Sequence, residues 1–115
     1  MTIPPEIQSL IDRLNSELET IKQETIEGEN LLRQFMSLFP NNALLIQFFA
    51  YWQTTQFFIV NARRRIDETK AQLLEQPERG EIVPELGADL AALLGEVIET
   101  KIRSKAILDR LKNLS

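Results

Sequence analysis

The chain is predicted to be all-α: a long antiparallel three-helix bundle with coiled-coil-like packing, open to completion by oligomerisation. Three observations carry that reading. Apolar residues recur at alternating steps of three and four along three long segments. No segment alternates with the period of two that a half-buried strand requires. The prolines, Pro4, Pro5, Pro40, Pro77 and Pro84, fall between those segments or at their starts, where a missing N–H costs least.

The first helix is placed at about 5–39. Its seam runs Ile7, Ile11, Leu14, Leu18, Ile21, Thr25, Gly28, Leu32, Phe35 and Phe39. Pro5 suits a first turn, and Glu6 suits the positive end of the helix dipole. Pro40-Asn41-Asn42 then stops the helix and offers an N-cap for the next.

The second helix is placed at about 42–76, with Leu45, Phe48, Trp52, Thr55, Ile59, Ala62, Ile66, Thr69 and Leu73 along its seam. Gln76-Pro77-Glu78-Arg79-Gly80 reads as a stop and a turn. A short extended piece, Glu81-Ile82-Val83, leads to a third helix at about 84–114. Its seam is Leu86, Leu90, Leu93, Val97, Thr100, Ser104, Ile107, Leu111 and Leu114. Spacing of this kind implies shallow crossing angles, as in bundles. The runner-up architecture is a two-helix hairpin whose third helix swaps onto a neighbouring chain.

At 115 residues the chain makes a single helical domain, 1–115, large enough for a core without covalent staples. Hydrophobic residues at 43% and charged residues at 26% are ordinary for a globular protein. Neither cysteine nor histidine occurs, so Ser–His and Cys–His catalysis and sulfur- or imidazole-ligated metals are unavailable. The four glycines (Gly28, Gly80, Gly87, Gly95) are scattered and form no phosphate-binding loop. What remains for chemistry is carboxylates. Glu24, Glu27 and Glu29, or Glu96 and Glu99, offer a remote alternative as a metal-binding carboxylate bundle; a solvated helix face is preferred. The expectation is a non-enzymatic protein with no cofactor.

The start of the chain lacks the basic and apolar regions of a signal peptide. The longest apolar run, Ala43 to Val60, is interrupted by Gln47, Gln53 and Gln56, which argues against a membrane span. With no cysteine, these features predict a cytoplasmic protein without a membrane partner. A net charge of −4 supplies no attraction to nucleic acid. Arg63-Arg64-Arg65, with Lys101, Arg103 and Lys105, would carry the alternative of a nucleic-acid-associated subunit. Folding the hairpin, however, sets those arginines level with Glu17 and Glu19, and the second fold brings Glu96 and Glu99 alongside. Ion pairs between helices are the simpler expectation.

The antiparallel folds also bring weak points of the three seams to one height. Thr25, Thr55 or Gln56, Thr100 and Ser104 are expected to form a polar layer midway along the bundle, bonding across helices and holding register.

The second helix carries more apolar surface than one seam can hold. A second stripe, Ile46, Ala50, Gln53, Phe57 and Val60, lies roughly 150° round the helix from the first. Leu44, Tyr51 and Phe58 line one flank between the stripes, and Phe49 the other. Either this helix is central, with companions on both flanks, or the second stripe meets another chain. The expected function is therefore protein–protein interaction, as an adaptor, scaffold or complex subunit. The interface is Ile46, Phe49, Ala50, Gln53, Phe57 and Val60. A homo-oligomer, most simply a twofold dimer, is the favoured partner, with a second protein also admissible. A weaker surface of small residues, Ala88, Ala91, Ala92 and Gly95, lies on the third helix.

Overall fold

The computed structural model describes residues 3–75 and 82–114. It contains three helices: α1, Pro5–Leu38; α2, Ala43–Glu75; and α3, Ile82–Leu114. They run up, down and up, all three packing against one another in a rod of 59 × 18 × 18 Å. The fold is an all-α three-helix bundle. α1 packs most extensively on α3, then on α2, while α2 and α3 touch least. The centre of the bundle is therefore α1, and α2 has helices on only part of its circumference.

Local chemistry explains the boundaries. α1 starts with Pro5 at its first helical position and Glu6 in its first turn. It closes as the Phe39 N–H donates to the Phe35 carbonyl, and Pro40 cannot continue the ladder. Asn42 caps α2, its Oδ1 accepting from the N–H groups of Leu44 (3.0 Å) and Leu45 (3.2 Å). α3 begins at Ile82, two residues before the position expected from Pro84. Proline is tolerated anywhere in a first turn, so it does not mark the first helical residue. The expected turn at Gln76–Gly80 lies outside the described residues.

Seven apolar members of the α2 seam are buried, together with Thr55 and Thr69. The α1 seam is buried from Ile7 to Leu32. At the far end the helices run out of partners: Phe35 is half-buried, and Phe39 and Leu114 are exposed. On α3 the buried line drifts. Ser104 is followed by Leu108 and Leu111, while Ile107 is only half-buried. A straight helix precesses against a seven-residue repeat, and the contact line moves one position around it.

The core is in two parts. One cluster holds Ile7 to Ile21 of α1, Ile59 to Leu73 of α2 and Leu86 to Val97 of α3. The other holds Leu32, Leu45, Phe48, Trp52, Leu108 and Leu111. Between them the buried positions are Thr25, Gly28, Thr55 and Ser104. Gly28 is there to admit Trp52. A Cβ at Gly28 would stand 2.6 Å from the indole Cζ2 and 2.8 Å from Cε2, closer than atoms can pack. Gly28→Ala should therefore destabilise the chain by about 1 kcal/mol in urea unfolding. Overpacking costs ~1–3 kcal/mol, against a helix-propensity gain of ~1 kcal/mol. A more stable variant would show that the indole does not occupy that notch.

Candidate interaction surface

Between Ala43 and Ala62, α2 carries no charged residue. Its inner seam is buried, and its flanks are used by the bundle: Phe58 packs on the lower core, and Phe49 and Tyr51 on the upper one. The outer stripe has no such cover. Phe57 is 74% exposed, Val60 66% and Ile46 47%, and Ala50 and Gln53 are exposed with them. Phe49, at the flank, is half-buried. A shallow depression on this face is lined by Ala50, Gln53, Thr54, Gln56, Phe57 and Val60. The hydrophobic effect makes such a surface costly in water. Burying a phenylalanine contributes ~1.5–3 kcal/mol that Phe57 forgoes here. Contiguous exposed apolar residues of this kind mark contact surfaces.

A second apolar exposure lies at the α1–α2 end of the rod, where Leu38, Phe39, Leu44 and Leu114 are all exposed. A small depression there is lined by Phe35, Phe39, Asn42, Leu44, Leu45 and Leu114. Sequence reasoning assigned Phe39 and Leu114 to seams. The missing signal was length, since a seam residue past the end of its neighbour has nothing to pack on. On α3, Ala88, Ala91, Ala92 and Gly95 face solvent, with nothing within 4 Å of a Cβ added at Gly95.

Each arginine of the basic run has a carboxylate beside it. Arg63 pairs with Glu19 (3.2 Å), Arg64 with Glu68 (3.9 Å) and Arg65 with Glu96 (3.2 Å). The basic run thus points its guanidiniums in three directions, each toward a carboxylate, and forms no common phosphate-binding edge. Glu17 pairs instead with Lys101 (2.8 Å), and Glu99 with Arg103 (2.9 Å). Lys105 lies close enough to Glu24 to act on its titration. Among the described residues no three carboxylates gather into a metal-binding group. No described helix is long and apolar enough to cross a membrane.

At the waist between the two core clusters, Thr25, Thr55 and Ser104 are buried, Thr100 is half-exposed and Gln56 is exposed. The hydroxyls do not bond across helices as expected. Thr25 donates to the Ile21 carbonyl (2.8 Å), Thr55 to Tyr51 (3.0 Å) and Thr100 to Glu96 (2.8 Å). A threonine within a helix reaches the carbonyl four residues back more readily than a neighbouring helix. The cross-helix bond at this height is at the rim, where the Gln56 amide donates to the Glu29 carboxylate. The buried α3 contribution comes from Ser104, while Thr100 stays half-exposed.

Among the described residues, three buried polar atoms near the waist lack a hydrogen-bond partner: Glu24 Oε1, Trp52 Nε1 and Ser104 Oγ. Burial pushes the Glu24 carboxyl above its ordinary range, opposed by Lys105 and Lys101. A carboxyl with a raised folded pKa holds its proton longer when folded than unfolded. Its effect is thus a loss of stability as pH rises through and above about 4.3. Glu24→Gln should flatten the stability–pH curve on the basic side of the ordinary glutamate range, read by urea midpoints. A curve unchanged by the substitution would contradict it. Ser104→Ala should raise stability by about 1 kcal/mol by removing a buried, unpartnered hydroxyl. A loss of more than that would reveal a partner for the Ser104 hydroxyl.

No known protein family, curated protein or solved structure matches the chain.

Proposed function

We propose that this protein is a non-enzymatic interaction module of the cytoplasm that presents the outer face of α2 to another polypeptide. The observation that carries this reading is the pairing of composition with exposure on one helix. α2 is uncharged from Ala43 to Ala62, yet Ile46, Ala50, Phe57 and Val60 stand in solvent. A surface helix that packs only on its own domain ordinarily carries charge on its outer side. α1 and α3 do so, with Glu19, Glu27, Arg103 and Lys112 engaged at the surface. The long uncharged stretch belongs to the helix with the least packing on α3, whereas the exposed Ile26 of α1 and Ile102 of α3 stand singly among charged residues.

The bundle supplies a rigid backing for that face. The inner seam of α2 is anchored by Trp52 against Gly28 and by Ile59, Ala62 and Ile66 in the lower core. Docking on a rigid helix face orders few groups beyond the side chains themselves, which keeps the entropic cost of association low. An adaptor, scaffold or complex subunit works in this way. The reading as a nucleic-acid-associated subunit is disfavoured by the carboxylate partner beside each of Arg63, Arg64 and Arg65.

The test is site-specific photo-crosslinking in the cells that make the protein. A benzophenone side chain at Phe57 should give a discrete protein adduct, whereas the same probe at Gln23 on the outer face of α1 should not. Absence of any adduct at position 57, or equal labelling at both positions, would contradict the docking role.

A further inference from the structure

We infer that the occupant of the α2 face is a second copy of this chain, packed antiparallel on α2 about a twofold axis near residue 55. The assignment rests on the docking role proposed above and adds the identity and geometry of the partner.

The face is complementary to itself. Ala50, Gln53, Thr54 and Phe57 stand at steps of three, one and three, the four corners of a hole between two turns of helix. The most exposed aromatic on the same face is Phe57. Seating Phe57 of one copy in that hole of the other fixes the register. The same antiparallel register sets Val60 opposite Ala50, a branched side chain against a small one. It lays Ile46 along the methylene stem of Arg64 and brings the two Phe57 rings into contact across the axis. One substituent therefore fills the hole on both sides, as an isologous contact requires.

Charge agrees with this arrangement. The stripe from Ile46 to Val60 is uncharged, so two chains that each carry −4 meet along it without opposing ionised groups, and charge enters only toward the ends of the overlap, at Arg63, Arg64, Arg65 and Asp67. A charged partner would find nothing on the stripe to pair with. At the ends of the overlap, Arg64 has Glu68 of its own helix beside it (3.9 Å). Asp67 falls beside the first turn of the other copy's α2, the positive end of a helix that has no acidic residue there.

Area sets the strength. Overlap from residue 43 to residue 67 is about 37 Å long and about 10 Å wide, a footprint of roughly 370 Å² per copy. Stable complexes use ~800 Å² per partner, so the pair is reversible, with a dissociation constant in the micromolar range or weaker.

Sedimentation equilibrium on the purified chain from roughly 1 to 500 µM tests the proposal, with circular dichroism reporting the fold. The mass should rise from the 13.3 kDa of one chain toward twice that value. Phe57→Asp should raise the dissociation constant ~30-fold or more while helicity persists. Because the chain has no cysteine, orientation can be read separately. Ala50→Cys combined with Val60→Cys should form an intermolecular disulfide on mild oxidation, and either change alone should not. A single-chain mass throughout, a dimer indifferent to Phe57→Asp, or Ala50→Cys alone linking as well as the pair would each overturn this assignment. If position 57 still photo-crosslinks to a different protein, only the second-copy assignment fails. If it crosslinks to nothing, the docking role fails with it.

Discussion

Two neighbouring helices can cover only the inner part of a third, and this limit governs how the molecule is read. A helix in a three-helix bundle meets its companions along one face and its two flanks. Whatever lies beyond must live in water or against another molecule. α1 and α3 place mainly charge outside: Glu19, Glu29, Glu96 and Arg103 stand at the surface in polar contacts, and Ile26 and Ile102 are isolated apolar exposures. α2 breaks that pattern over the stretch from Ala43 to Ala62, where its outer side carries no charge and sets Ile46, Ala50, Phe57 and Val60 in solvent among glutamines and Thr54. The bundle leaves that excess uncovered.

The inner structure explains why α2 is held so firmly while exposing this face. Trp52 is the largest fully buried side chain, and it fits only because Gly28 leaves a notch in α1. That contact fixes the height of α2 against α1. On the Ile21 side of the notch, the small hydroxyls of Thr25, Thr55 and Ser104 separate the two apolar clusters. A continuous apolar seam would allow sliding by one turn, since each turn resembles the last. A bulky indole matched to a glycine, and a waist of small polar residues, penalise such a slip because large and small groups would then oppose their like. Arg63–Glu19 and Arg65–Glu96 meet only in the same register, though as exposed pairs they add little energy.

Much of this was legible in the residues. The step of three and four is a property of one chain, and it located all three helices and the whole inner line of α2. Counting back across two turns sets the arginine run level with Glu17, Glu19, Glu96 and Glu99. Glu19 and Glu96 do pair with it, while Glu17 and Glu99 pair with Lys101 and Arg103 and Arg64 turns to Glu68 of its own helix. The misses arose where neighbours decide. Periodicity cannot tell a seam residue from one that overhangs its partner, hence Phe39 and Leu114. Nor does it show precession, hence Leu108 in place of Ile107. The threonine hydroxyls were assigned to neighbouring helices, but their own backbone carbonyls lie nearer. Gly28 stands in the α1 seam with no visible reason in its own segment, because its tenant, Trp52, comes from another helix. The excess stripe on α2 was visible because charge is absent from a whole stretch of sequence. Periodicity alone does not show what meets that stripe, because it describes the pattern of a single chain.

The most direct measurement is residue-resolved solvent accessibility by NMR, using a soluble paramagnetic agent at low and high protein concentration. The account predicts that Ile46, Ala50, Phe57 and Val60 become shielded as concentration rises, while Gln23, Ala91 and Gly95 on the outer faces of α1 and α3 do not change. Equal exposure of the α2 stripe at every concentration, or shielding of a different face, would contradict it.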